Sequence, residues 1–193
     1  MYVSCSWDDG ESDSRVVKVL KNNNIKATFF PSYWWILKPY YTDLYDGFEV
    51  GNHTFNHLDL TKVSLEVAKE QILKMEEVII ESTGVKPASF AFPFGKLNQE
   101  LHDLVISLGY YYSRGTKKTL NDMTFVGPDA EYGAENFWDK YYEALNFGHK
   151  TFVFYGHAKW VYKERFPLDI EKMLNDGCEF ITHRELMQRR KIF

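Results

Sequence analysis

Asp8 and Asp9 stand side by side before Gly10, and His53 and His57 stand four residues apart in His53-Thr54-Phe55-Asn56-His57. On one helical turn, residues i and i+4 face the same way, so two such imidazoles can hold one metal ion. One carboxylate of the Asp pair completes a set of three protein ligands and leaves positions open for water and substrate. The other carboxylate is then spare, and it can take a proton from water. His157 follows a different apolar run and can serve as the opposing acid. This combination suits a hydrolytic metal site.

Such a set needs a frame that brings distant segments together. Tyr2 to Trp7 reads as a buried strand ending at the Asp pair. A helix carrying Val16, Val17 and Leu20 follows, capped by Ser12 or Asp13. Ala27 to Phe30 and Phe48 to Gly51 are the next two strands. Leu65, Ala68, Ile72, Met75 and Ile79 then recur at spacings of three and four, which predicts a helix with one buried stripe, ended by Gly84. Further strands are expected at Ser89 to Phe92, Tyr110 to Ser113, Lys150 to Tyr155 and Cys178 to Thr182. The interleaved helices run over about 99–108, 135–145, 170–174 and 184–190. Gly115 to Gly133, with three glycines and Pro128, is the least regular stretch. Alternating β and α segments predict a parallel sheet, open or closed into a barrel. Asp8, Asp9, His53, His57, Pro93, Arg114 and His157 all fall just after strands. In parallel α/β folds that end of the strands is where active sites are built.

A length of 193 residues fits one domain spanning 1–193. A hydrophobic fraction of 45% and a charged fraction of 26% exclude a disordered or fibrous chain. The net charge is −4 and no basic block stands out, so no nucleic-acid partner is expected. The apolar runs are far shorter than the ~18 residues of a membrane span. Cys5 and Cys178 are too few for a disulfide framework and read as buried thiols. No basic segment followed by an apolar one opens the chain; if it starts where its gene does, the cytoplasm is the expected compartment. Most of the 15 Phe, 13 Tyr and 5 Trp are expected in the core. Trp34, Trp35, Trp138 and Trp160 are candidates to line a sugar groove, Trp160 foremost because it lies three residues after His157.

Across nearly its whole length the chain resembles the polysaccharide deacetylases of carbohydrate esterase family 4, the NodB-homology group. Ser6-Trp7-Asp8-Asp9-Gly10 is similar to that family's Thr-Phe-Asp-Asp-Gly motif, and His53-Thr54-Phe55-Asn56-His57 to its His-Ser/Thr-x-x-His motif. Ala91-Phe92-Pro93-Phe94-Gly95 has the shape of its Arg-x-Pro-x-Gly motif, and Tyr155-Gly156-His157 that of Leu-x-His. Ile25 to Phe30 is similar to its second strand. The resemblance implies an α/β fold, an irregular (β/α) barrel with about seven parallel strands. It implies Asp8 as catalytic base, His157 as acid, and Asp9, His53 and His57 as ligands of one divalent ion, Zn2+ in the main and Co2+ or Ni2+ in some members. The backbone N–H of Phe94 would stabilise the oxyanion, with Pro93, Tyr155 and Trp160 around the substrate, an acetylated oligo- or polysaccharide losing an N- or O-acetyl group.

Two departures stand out. The family's arginine beside the catalytic Asp would fall at Ala91, and Arg114, at the end of the next strand, is the expected replacement. Adjacent strands lie ~5 Å apart, within reach of a guanidinium. The family's Asp-x-x-Asp-Trp motif has no clean match; Asp129 and Trp138-Asp139 are the nearby candidates, and tyrosine replaces leucine at Tyr155. Two other readings stay open: a hydrolase of this fold acting on a non-sugar C–N bond, and a silent carbohydrate-binding protein. The second would be marked by loss of Asp8 or a metal ligand, and all four residues are present.

Overall fold

A computed structural model describes residues 1–37 and 43–190. Among the described residues nine strands are present: β1 (Tyr2–Asp9), β2 (Thr28–Pro31), β3 (Glu49–Val50), β4 (Ser89–Ala91), β5 (Tyr112–Arg114), β6 (Phe125–Val126), β7 (Ala130–Glu131), β8 (Thr151–Gly156) and β9 (Glu179–Phe180). Seven α-helices accompany them: α1 (Ser14–Asn22), α2 (Tyr33–Ile36), α3 (Leu65–Thr83), α4 (Gln99–Ser107), α5 (Phe137–Asn146), α6 (Phe166–Asn175) and α7 (His183–Arg190). The expectation of about seven strands is short by β6 and β7. Both are two residues long and lie in the stretch read as irregular, where no period can show.

All pairings between strands are parallel. One sheet runs β3-β2-β1-β8-β7, with β9 also paired to the start of β1; the other runs β4-β5-β6. Among the described residues a single parallel bridge, Asn52 to Phe90, joins the two. This is the wall of an irregular (β/α) barrel, and among the described residues no ladder joins β6 to β7. β1 is central and buried along almost its whole length, with apolar Val3, Cys5 and Trp7 alternating with buried Ser4 and Ser6.

Helices cover the outside of this wall. Val16, Val17 and Leu20 of α1 pack with Phe137 and Tyr141 of α5 and Phe166 and Ile170 of α6 over β1 and β8. Ala68 and Ile72 of α3 join Leu101 and Val105 of α4 against Phe90 and Phe92. Ser64 caps α3 through its hydroxyl, and Gly84 ends it in the left-handed conformation. Leu186 and Met187 of α7 meet Tyr112, Val126 and Val153, closing the end where the strands begin. Cys5 and Cys178 are both buried and free, and Trp35 and Trp138 pack against the core. Of the four tryptophans read as sugar contacts, Trp34 and Trp160 alone are exposed.

Candidate active site

The opposite end of the wall, where the parallel strands finish, gathers the candidate site residues. β1 ends in Asp8 and Asp9. Successive strand residues point to opposite faces. Asp9 breaks that alternation with φ 70°, and so both carboxylates serve the same end of the barrel. Thr54, His57 and Phe94 are also left-handed, at φ 65°, 53° and 59°. Such backbone costs of order 1–3 kcal/mol per residue and persists where surrounding contacts enforce it.

Those contacts are visible around the histidines. The spacing of His53 and His57 suggested a helical turn; the segment is instead a loop outside any helix. Gly51 lets it pass Phe30, since a Cβ there would lie 2.2 Å from the Phe30 ring. Asn52 anchors it: its amide donates to the Ile72 carbonyl and the Tyr110 hydroxyl, and its oxygen accepts from the Thr54 N–H. Gln71 accepts from the N–H of Phe55 through its carbonyl and from that of Asn56 through its side chain. The loop then returns His57 to His53 with their Nε2 atoms 3.2 Å apart.

Asp9 Oδ1 lies 3.3 Å from His57 Nε2 and 3.7 Å from His53 Nε2. Tetrahedral zinc with bonds of ~2.0–2.1 Å sets its ligand atoms about 3.3 Å apart, so the triangle has the size of a metal site. The His53 Nδ1–H donates to the Ala91 carbonyl at 2.8 Å, which leaves the Nε2 lone pair for a cation. Burial alone would raise the Asp9 carboxyl. Hydrogen bonding and charge from His53, then charge from His157 and His57, override it and hold Asp9 well below the usual carboxylate range. Burial, then the charge of His53, lower His57 despite the opposing pull of Asp9 and Asp8. An ionised carboxylate beside an imidazole that resists protonation is the state metal binding requires.

Asp8 is only 5% exposed and Arg114 1%. Ala91 and Arg114 are direct partners in the β4–β5 register, and the Arg114 Nη2 donates to Asp8 Oδ1. The guanidinium lies between the rings of Phe30 and Tyr155, 5.0 and 5.3 Å from their centroids, and its Nη1 donates to the Gly115 carbonyl. A buried guanidinium needs such a counter-charge.

His157 approaches the other oxygen of Asp9, its Nε2 3.8 Å from Oδ2. Its Nδ1 is buried, has no hydrogen-bond partner among the described residues, and faces Glu131 Oε1 at 3.8 Å. Glu131 Oε2 accepts from the Tyr155 hydroxyl. Tyr155 is therefore a prop for Arg114 and Glu131. The sequence points to Asp129 and Trp138-Asp139 for this place. Asp129 pairs with Lys118, Trp138 packs in the core, and Glu131 is the acid that faces His157. A lone glutamate in an irregular stretch gives no signal. Lys159 also escaped notice; its Nζ lies 3.6 Å from Asp9 Oδ2 and 3.3 Å from Glu11.

Phe94 sits in the turn after β4, on buried Pro93, with its exposed ring edge-on to His57 at 4.6 Å. Trp160 stands on the rim, 71% exposed, with Lys159 Nζ 5.5 Å from its ring. The remaining histidines serve structure where they are buried: His102 bonds Ser113 and Thr124, and His183 bonds Ser4.

A polysaccharide deacetylase family model matches residues 1–113. A peptidoglycan-N-acetylglucosamine deacetylase of Listeria monocytogenes is 32% identical over 105 residues, covering 51% of this chain and 22% of its own length. The chain thus spans about a fifth of that relative. Among solved structures, a CE4 family pseudoenzyme from Bacillus anthracis aligns with a TM-score of 0.75 at 18% identity, over 96% of this chain and 65% of its own. A family 4 carbohydrate esterase from Streptomyces lividans in complex with acetate aligns at 0.69 and 20% identity, over 93% and 91%. These two structural likenesses bear on the fold alone.

Proposed function

The chain belongs to the polysaccharide deacetylase family, and from that premise we propose that it is a metal-dependent hydrolase removing acetyl groups from a carbohydrate. The observation that carries this reading is the Asp9–His53–His57 triangle with a second, arginine-held carboxylate, Asp8, at its side. Asp9, His53 and His57 would hold one divalent ion, with Zn2+ matching the nitrogen-rich ligand set and its spacing. When bound, the ion supplies Lewis-acid polarisation of the acetyl carbonyl and lowers the pKa of water.

The chain's own residues do the rest. Asp8 takes the proton of the attacking water, and Arg114 fixes the direction of its carboxylate. The N–H of Phe94, held by the left-handed turn after Pro93, donates to the carbonyl oxygen as charge develops on it. His157 passes a proton to the leaving nitrogen or oxygen, with Glu131 behind its Nδ1. Trp34 and Trp160, exposed near this end, offer faces for sugar rings.

Acetate release from chito-oligosaccharides, O-acetylated xylan and peptidoglycan tests the proposal. Release should stop with chelator and return with Zn2+. A metal-loaded protein that releases no acetate from any of the three would overturn it.

A further inference from the structure

A groove of about 460 Å³ opens from the second half of the barrel wall, with Thr116, Lys117, Lys140 and Tyr155 among its lining residues. That volume lies within the ~300–1,000 Å³ of small-molecule sites. Its inner end is the wall of the site itself. Thr116 packs so closely on Gly95, the residue after Phe94, that a Cβ there would lie 2.1 Å from the Thr116 hydroxyl. Tyr155 bonds Glu131, which faces His157. A sugar chain whose acetylated unit sits over His53 and His57 can lay its neighbouring unit here.

The charges of the groove are unequal in availability. Asp129 is neutralised by an ion pair, whereas Glu131 bonds a neutral hydroxyl and keeps its charge. Asp129 accepts from Lys118 Nζ at 2.7 Å and from the Val153 N–H at 2.8 Å, and Glu131 is held by Tyr155 and faces His157. Two lysines remain. Lys140 Nζ spends one hydrogen on the Asp129 carbonyl and forms no ion pair among the described residues. Lys117 likewise has no carboxylate within ion-pair distance among the described residues. The chain as a whole carries −4, so this positive lining runs against the average. With Lys118 and Asp129 cancelling, Lys117 and Lys140 outweigh Glu131 in the lining, and a cleft with such an excess of one sign focuses its field on an opposite charge.

We infer that this groove is a subsite for a carboxylate-bearing sugar adjacent to the acetylated one, an inference that rests on the deacetylase reading of the neighbouring site. Lys117 and Lys140 engage the carboxylate as point charges. Two chemistries present such a group in a glycan: the carboxyl of a uronic acid, and the lactyl ether of a muramic acid. The groove recognises what they share.

The test compares three oligosaccharides of equal length at low salt: N-acetylglucosamine alone, N-acetylglucosamine alternating with glucuronic acid, and N-acetylglucosamine alternating with N-acetylmuramic acid. Binding to the zinc-loaded protein is measured by calorimetry, and acetate release is followed in the same samples. At least one acidic chain should bind roughly 5-fold tighter than the neutral one, as two partly exposed charge contacts allow. Which acidic chain gains more identifies the source of the carboxylate. The double variant Lys117→Gln, Lys140→Gln should bring the acidic-to-neutral ratio close to one, and the double Arg variant should keep it. Lys18→Gln, on α1, removes a positive charge outside the groove lining and should leave the ratio as it was. No binding, equal binding, a ratio that survives the double Gln variant, or a ratio that Lys18→Gln also abolishes would each overturn the subsite. Acetate release from the neutral chain without an acidic preference rejects the subsite alone. No release from any of these chains or from O-acetylated xylan rejects the deacetylase reading.

Discussion

The metal triangle and the charged wall that faces it come from different parts of the chain and are built differently. Asp9, His53 and His57 lie in the first half, at a strand end and on a loop whose backbone is forced into left-handed turns. Arg114, Glu131 and His157 lie beyond the stretch that the family model matches, and each is mounted at the end of a strand. Metal ligands must converge within tenths of an ångström, which ties them to a particular loop geometry and hence to a recognisable spacing. A guanidinium or a carboxylate that only has to supply charge can come from any neighbouring strand, because its side chain spans the difference. Ala91 and Arg114 are register partners, so the guanidinium approaches Asp8 from one strand further along the wall.

The largest expected effect separates the two halves outright. His53→Ala should abolish stoichiometric metal binding and acetate release together, read by metal analysis of the purified protein. Retained metal at full stoichiometry would break the comparison at its first term. Asp8→Asn should keep the metal and lower turnover by ~10²–10⁴-fold, the contribution of a general base. Wild-type turnover in that variant would remove Asp8 from the chemistry.

Arg114→Ala tests the wall. It strands a buried carboxylate, and a broken buried pair costs about 3–5 kcal/mol. The thermal midpoint should fall sharply and turnover with it, while the metal content of the folded fraction stays intact. Arg114→Lys should restore little, since an ammonium cannot reproduce the planar fork. A surface arginine would instead cost within ~0.5 kcal/mol. Glu131→Gln is milder: turnover should drop about tenfold, because His157 loses the carboxylate behind its Nδ1. Wild-type turnover in that variant would leave Glu131 as support for Tyr155 only.

The smallest effect is on stability in the metal-free protein. The folded state holds His57 below its ordinary value, so between that lowered value and about 6.5 the unfolded chain binds more protons. The contribution is therefore complete above about pH 6.5 and is lost as pH falls through the folded value. Thermal midpoints between pH 8 and 5 should decline more steeply for wild type than for His57→Gln. Parallel curves would contradict the assignment.

Much of this was legible in the residues. β1, α3, β8 and both histidine positions could be placed because long apolar runs, helical periodicity and flanking glycines carry physical information over many residues. Asp9's neighbours were legible for the reason given above. The helical geometry assumed for His53 and His57 was not, because spacing alone cannot distinguish a helical turn from a loop pinned by Asn52 and Gln71. Glu131 and Lys159 were invisible for a simpler reason: each is a single charged residue whose partner lies on or just after a neighbouring strand but far off in sequence, and no local pattern announces such a meeting.

Asn52 joins the two sheets through one bridge, and the histidine loop begins at the next residue. Asp9 belongs to one sheet, while His53 is bonded to Ala91 of the other. An ion held between them works as a clasp across a seam. By mass action it favours the closed seam over any state in which the sheets have parted, by about 2.7 kcal/mol at a free concentration 100 times the dissociation constant. Hydrogen exchange at the Asn52 and Ala91 amides, which pair across that seam, should therefore slow when metal is added. The site proposed for the chemistry would also set how often the barrel breathes.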